Sequence, residues 1–229
     1  MWAIAVAPGA AQVTWSQALG LNGQNDVGNA MTTPLPATVE AVVYTNGVAD
    51  RQLKTCQDYL DAVSAGFYPK DNMAQRQSGG FVFRCYVLRD LQTATTASSG
   101  KPYYWTGNSL SQLPPILTVG AKEIENEAEK AEQKGVNWLH YNPGLKIISI
   151  RDDQLRAEDD DNYYTLNILA RGDFDGDGVE DVAVCGSVKG KQTTWSSDQY
   201  FVFTQTPSGS LVRLTSNSVP YRIPAKVPN

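Results

Sequence analysis

Residues 163–187 read YYTLNILARGDFDGDGVEDVAVCGS, two short apolar runs separated by a loop in which aspartates recur at every second position. Both runs are rich in β-branched or aromatic residues, and runs of this length bounded by glycine and aspartate are typical of strands. We therefore predict a β-hairpin, with strands over 163–170 and 182–187, that carries the acidic loop between them.

The loop has the spacing of a calcium-binding loop. Acidic residues stand at its relative positions 1, 3, 5 and 9, and Gly176 and Gly178 allow the tight turns that bring them together. Calcium is a hard cation that prefers several oxygen ligands, and carboxylates packed this closely would repel one another without a cation. The predicted ligands are the side chains of Asp173, Asp175, Asp177 and Asp181 and the backbone carbonyl of Val179.

The loop is not a helix–loop–helix EF-hand. Position 12 is Val184 instead of the bidentate glutamate of such loops, and the flanking segments have the pattern of strands. The pattern DxDxDGxxD between strands resembles the FG-GAP calcium loop of integrin-type propeller blades and of bacterial surface proteins. Since the pattern occurs once, the resemblance implies a calcium-binding hairpin and excludes a complete propeller.

A wider resemblance covers roughly residues 54–206. The segments TCQDYL, GFYP, FVFRCYVLRDL, LARGDFDGDGVEDVAV and YFVFTQT follow one another as they do in a family of uncharacterised secreted proteobacterial proteins. Members of that family carry two cysteines in helices and one such loop. The resemblance implies a location in the cell envelope and bound calcium, and it implies no particular reaction.

Two of the three cysteines lie on the apolar stripes of predicted helices. Leu53, Leu60 and Val63 share helical spacing with Cys56, and Phe81, Leu88 and Leu91 do so with Cys85. A connection that contains Pro69 and Gly79-Gly80 makes the two helices a hairpin. Cys56 and Cys85 then form either a disulfide, in an oxidising compartment, or two buried thiols. The third, Cys185, lies in an apolar run and is predicted to be a buried strand thiol.

The remaining pattern predicts an α+β fold. A helix over 121–134 ends at Gly135, and further strands are expected over 145–150, 199–204 and 211–214. The helical N-terminal half, a disulfide-stapled helical hairpin, precedes a C-terminal antiparallel sheet that carries the calcium loop. The predicted divisions are a signal-peptide remnant and extended arm over 1–50, with one strand at 39–44, and a single domain over 51–229. That domain has a helical part, 51–135, and a β part, 136–229.

Charge excludes one class of partner. The chain has 229 residues and a formal net charge of −5, and residues 151–181 alone hold eleven acidic and three basic side chains. A protein that binds nucleic acid without regard to sequence needs a basic surface instead. No apolar run is long enough to span a membrane.

The sequence favours a binding function over catalysis. It holds a single histidine, no G-x-S-x-G and no H-E-x-x-H, and the loop supplies enough oxygens to bind its ion as a structural element. We expect a periplasmic or secreted calcium protein that binds another protein, such as an inhibitor or immunity protein against a secreted antibacterial toxin. The candidate contacts are Tyr103, Tyr104 and Trp105, since tyrosine and tryptophan are enriched in interface hot spots. The alternatives are a calcium-dependent envelope hydrolase that uses acids of 151–181, and a surface adhesion module.

Overall fold

The computed structural model describes residues 13–16, 19, 21–23, 26–99, 102–116, 122–193 and 196–218. Contacts divide these residues between two units. The helical unit holds the described residues of Gln17–Thr93 with residues 217 and 218, and the sheet unit holds residues 13–16 with those of Ala94–Ser216. This boundary at Thr93 differs from the predicted ones at 50 and 135, which stay predictions. The predicted signal-peptide remnant, 1–12, lies outside the described residues.

Helices and short strands are interspersed as far as Tyr141, and from Lys146 onward the named elements are all strands. In chain order they are β1 (Thr14–Trp15), α1 (Asp26–Thr32), α2 (Ala37–Glu40), β2 (Val43–Thr45), β3 (Asp50–Gln52), α3 (Cys56–Ser64), β4 (Tyr68–Pro69), α4 (Asn72–Thr93), α5 (Ser109–Gln112), α6 (Lys122–Gln133), α7 (Trp138–Tyr141), β5 (Lys146–Arg151), β6 (Gln154–Glu158), β7 (Asn162–Gly172), β8 (Asp181–Gly190), β9 (Ser196–Gln205) and β10 (Leu211–Ser218). The fold therefore combines helices with a mainly antiparallel sheet, as predicted.

In the helical unit, α4 packs against α1, α2 and α3, and β2 pairs with β3 on one side and β4 on the other. A disulfide joins Cys56 at the start of α3 to Cys85 in the middle of α4, and both residues are buried. Beside it, the rings of Tyr44, Tyr59 and Tyr86 stack edge to face, and the hydroxyls of Tyr59 and Tyr86 lie 3.2 Å apart. The predicted pairing of Cys56 with Cys85 is confirmed.

Several local predictions in this unit are wrong. The arm predicted as extended holds α1 and α2, and its strand is β2 instead of residues 39–44. Gly79 and Gly80 lie inside α4 and not in the connection, because burial of residues such as Val82 and Phe83 outweighs the cost of two helical glycines, about 1 kcal/mol each. The predicted division into a helical half and a β half is too simple, since β2–β4 lie among the helices.

The stripe predicted for α3 is displaced. Cys56, Tyr59 and Ala62 are buried, whereas Leu60 and Val63 are only half-buried. A helix of nine residues permits either choice of apolar face from spacing alone. Cys56 belongs to both faces, and the packing of the Tyr59 ring against the rings of Tyr44 and Tyr86 places the side with Tyr59 and Ala62 inward.

The sheet unit is built on the strand order β10-β9-β8-β7-β6-β5, with β1 added against β7. Apolar residues line up across one face, where Ile168 lies opposite Val184 and Val184 opposite Phe201. The buried rings of Trp105 and Trp138 pack against this face, in one continuous core. Strand β6 was missed by sequence reasoning, because its residues QLRAE stand in a strongly acidic stretch.

Helix α6 ends two residues before Gly135, whose φ of 72° is the left-handed value that suits a glycine after a helix. Within the described ranges, no helix is long and apolar enough to cross a membrane.

Candidate metal centre

The acidic loop connects β7 to β8, and the last residue of β7, Gly172, pairs with the first of β8, Asp181. The carboxylates of Asp173, Asp175 and Asp177 meet in this loop: each offers one oxygen, and these oxygens lie within 4.8 Å of one another. Asp173 is buried, whereas Asp175 and Asp177 are exposed. The hairpin therefore carries a cluster of three aspartates that could hold a metal ion.

Backbone amides curl the loop around Asp173. Its Oδ1 accepts a hydrogen bond from the N–H of Gly176 at 2.7 Å, and its Oδ2 accepts one from the N–H of Gly178 at 2.9 Å. Both glycines have a φ of 84°, a left-handed conformation that costs a side-chain-bearing residue free energy. The first ligand position is thus held by the backbone of the loop itself.

The two exposed aspartates each use one oxygen in the same way. Asp175 Oδ1 accepts from the N–H of Asp177 at 3.1 Å, and Asp177 Oδ1 accepts from the N–H of Val179 at 2.7 Å. Within the described part of the chain, no hydrogen bond engages Oδ2 of Asp175 or Asp177. These oxygens are available to a cation.

Asp181 adds a second, independent indication of a ligand. Its side chain is fully buried; Oδ2 accepts from the N–H of Phe174 at 2.7 Å, but Oδ1 has no hydrogen-bond partner among the residues that the structure describes. Burial raises the pKa of Asp181 to about 6, the Phe174 N–H and the Thr204 hydroxyl lower it, and the charges of Asp175 and Asp177 raise it further. An unpartnered buried carboxylate oxygen is costly unless a cation lies beside it.

The five predicted ligands thus have different outcomes. Asp173, Asp175 and Asp177 are brought together. Asp181 lies close enough to Asp175 and Asp177 for their charges to affect its pKa, but its oxygens are not part of the cluster. Its role as a ligand, and that of the half-buried Val179 through its carbonyl, stay predictions.

A segment before the hairpin is fastened to the loop. We call residues 94–99 and 102–105 the strap. Thr95 and Asp173 exchange two backbone hydrogen bonds, of 2.9 and 3.0 Å, and the Thr95 hydroxyl donates to Asp173 Oδ2 at 3.2 Å. The residue at the first ligand position is therefore also the residue that holds the strap.

A second anchor lies at Gly178. Its carbonyl oxygen is within 3.0–3.2 Å of four donors, the backbone N–H groups and the hydroxyls of Ser98 and Ser99. A Cβ atom added at Gly178 would lie 2.6 Å from the Ser98 hydroxyl oxygen. A side chain at this position would therefore displace the Ser98 hydroxyl as well as strain the backbone.

The other arm of the strap is held by two charged side chains that bracket the loop. The N–H of Tyr103 donates to Glu180 Oε1 at 2.8 Å, and Arg171 Nε donates to the Tyr103 carbonyl at 2.8 Å. Arg171 also forms an ion pair with Asp153, and its guanidinium lies 4.8 Å from the centre of the Tyr104 ring. Burial raises the pKa of Glu180, against the opposing effects of the Tyr103 N–H and Arg171. Arg171, Gly172 and Asp173 spell the integrin-recognition tripeptide Arg-Gly-Asp, but all three residues are buried. The tripeptide is therefore a structural part of the hairpin.

Sequence reasoning missed Arg171 and Glu180. The only signal was their position directly beside the predicted ligands, at the ends of two apolar segments, where a charged residue that becomes buried needs a partner. Of the candidate partner contacts, Tyr103 and Trp105 are buried and only Tyr104, at 57% exposure, faces solvent.

The neighbouring acidic turn has a structural use. Asp159 accepts hydrogen bonds from the Tyr164 hydroxyl at 2.6 Å, from the Asn142 amide at 2.8 Å and from the N–H groups of Asp161 and Asn162. Burial alone would raise its pKa, but these hydrogen bonds outweigh burial and lower it. Asp159 therefore stabilises the turn between β6 and β7.

The chain matches no protein-family model, no curated protein and no solved structure. The likeness of its loop to the FG-GAP calcium loop stays a prediction from the motif. The site itself consists of carboxylate oxygens gathered at one end of a hairpin, with a buried fourth carboxylate beside them.

Proposed function

We propose that this is a non-catalytic, periplasmic or secreted protein that binds Ca²⁺ in the β7–β8 loop and acts by binding another protein, a secreted antibacterial toxin. One observation supports the calcium site most directly. Oxygens of three aspartates lie within 4.8 Å of one another, and the buried Oδ1 of Asp181 nearby has no hydrogen-bond partner among the described residues. Three carboxylates around one point, with a fourth nearby, attract a divalent cation strongly, and their mutual repulsion is relieved when it binds.

The donor set favours calcium among the common cations. The clustered ligand atoms are all carboxylate oxygens, which suit Ca²⁺, Mg²⁺ and Mn²⁺ better than softer metals. A glycine-containing loop of alternating aspartates provides many ligands in a flexible arrangement, as Ca²⁺ prefers, whereas Mg²⁺ requires near-ideal octahedral geometry and keeps several waters. We therefore expect Ca²⁺ to bind more tightly than Mg²⁺.

The disulfide supports a location outside the cytoplasm. The Cys56–Cys85 bond is fully buried in the helical unit, and such bonds form and persist in oxidising compartments. Calcium is abundant there, so even a site of modest affinity would be occupied. The two features favour the same compartment independently.

Calorimetric titration tests whether the loop binds calcium. We expect one Ca²⁺ per chain, weaker binding of Mg²⁺, and a melting temperature that rises with calcium concentration because the ion binds the folded state only. Native mass spectrometry should show the mass of one bound calcium, removed by a chelator. Absence of binding heat together with an unchanged melting temperature would refute the site.

Substitution of Tyr104 tests whether this side chain contacts the partner protein. Tyr104→Ala should weaken binding to the toxin that co-purifies with the wild-type protein by about 30-fold, the effect of an interface hot spot. Tyr163→Ala is a matched control, because Tyr163 is also exposed and also lies beside a cation. The Nζ atom of Lys191 is 4.9 Å from the centre of the Tyr163 ring. Equal losses in both variants, or no complex with the wild type, would contradict the proposal.

A further inference from the structure

The strap and the acidic loop share atoms, which makes the strap sensitive to what the loop binds. Asp173 is clustered with Asp175 and Asp177 through its side chain, while its backbone N–H and carbonyl pair with Thr95. Displacement of Asp173 would therefore break the pairing with Thr95. An ion that holds Asp173 in place also holds the first anchor of the strap.

The second anchor depends on the loop in the same manner. The Gly178 carbonyl, which receives the donors of Ser98 and Ser99, follows directly after Asp177. Repulsion between Asp175 and Asp177 opposes this arrangement of the loop unless a cation offsets it. Displacement of the Gly178 carbonyl would deprive the four donors of their common acceptor.

The far arm of the strap connects the loop to a solvent-facing ring. Arg171 and Glu180, at the two ends of the loop, hold the backbone of Tyr103 from both sides. The next residue, Tyr104, lies over Arg171 with more than half of its surface exposed. The position of this ring therefore depends on strand ends that the loop joins.

We propose that the strap is an ion-dependent element: a divalent cation bound by Asp173, Asp175 and Asp177 fixes residues 94–99 and 102–105, and with them the exposed ring of Tyr104. This inference rests on the calcium site proposed above. By thermodynamic reciprocity, the strap in turn strengthens ion binding by the factor by which the ion stabilises the strap.

Hydrogen exchange measured by mass spectrometry tests the first half. In the intact protein, saturating Ca²⁺ should slow exchange at the strap amides that make the anchoring hydrogen bonds by at least about 10-fold relative to chelator. These amides belong to Thr95, Ser98, Ser99 and Tyr103. The amide of Thr206, which bonds to Ser210 in the β9–β10 turn, should not respond and is the internal reference.

The double variant S98A/S99A tests the reciprocal half. It removes two hydroxyl donors to Gly178, keeps the backbone donors, and should weaken calcium binding about 3- to 10-fold in calorimetry. Ser208→Ala, in the β9–β10 turn, removes an exposed hydroxyl elsewhere and should leave the affinity unchanged.

The outcomes separate the two proposals. Calcium binding without slower exchange in the strap, or with equal affinity in S98A/S99A and wild type, overturns the coupling and leaves the calcium site standing. No calcium binding at all overturns both. Slower exchange at Thr95 and Tyr103 with weaker binding in the double variant supports the coupling.

Discussion

Replacement of Asp181 with asparagine is expected to have opposite effects on stability with and without calcium. In saturating Ca²⁺, the variant loses a charged ligand, so calcium binding should weaken by about 100-fold and the melting temperature should fall. In chelator at pH 7, the same change removes a fully buried carboxylate whose Oδ1 has no partner, and the free energy of unfolding should rise by about 2 kcal/mol.

The pH dependence in chelator gives a second signature of the same residue. Burial raises the pKa of Asp181 from 3.8 to about 6 in the folded state. A raised folded pKa means that the contribution of this group to stability is fully present below pH 3.8 and is lost as the pH rises through about 6. The wild type should therefore lose stability between these values relative to Asp181→Asn.

Urea denaturation across this pH range, with and without calcium, measures both effects. Asp160→Asn is the matched control, since Asp160 is exposed and its replacement removes the same charge outside the loop. Equal destabilisation of Asp181→Asn in calcium and in chelator would show that Asp181 acts only through packing, and would remove it from the ligand set.

The parts of the site that sequence predicts are those encoded by local spacing. Alternating aspartates with glycines at the turns place Asp173, Asp175 and Asp177 together because the loop need only curl on itself. Helix α6 is predictable for the same reason, since its propensity and the glycine that follows it lie within one short segment.

The strap could not be predicted because it depends on pairing across long stretches of chain. Thr95 meets Asp173 across 78 residues, and Tyr103 meets Glu180 across 77. No periodicity specifies such a partner, and the pattern around Tyr103 suits an exposed contact as well as a buried one. Burial of Tyr103 and Trp105 is decided by the sheet face they cover, which exists only once β7, β8 and β9 are paired.

Removal of the disulfide is expected to lower the stability of the helical unit by about 3–4 kcal/mol, the entropy of closing a loop between residues 29 positions apart. The double variant C56A/C85A is the right substitution, because both positions are buried and serine would place unpaired hydroxyls there. Urea denaturation monitored by circular dichroism should show a lower midpoint.

Thiol counting separates this effect from simple loss of packing. Under denaturing, non-reducing conditions the wild type should show one reactive thiol, from Cys185, and three after reduction. Reduction should destabilise the wild type by nearly as much as C56A/C85A does, and should not destabilise C56A/C85A further. Three reactive thiols before reduction would contradict the bond. The free thiol is that of Cys185 on β8, and burial raises the pKa of this thiol to about 12. The pairing itself follows from the fold: α3 packs against α4 and brings the Cα atoms of Cys56 and Cys85 to 5.0 Å, a distance that a disulfide spans.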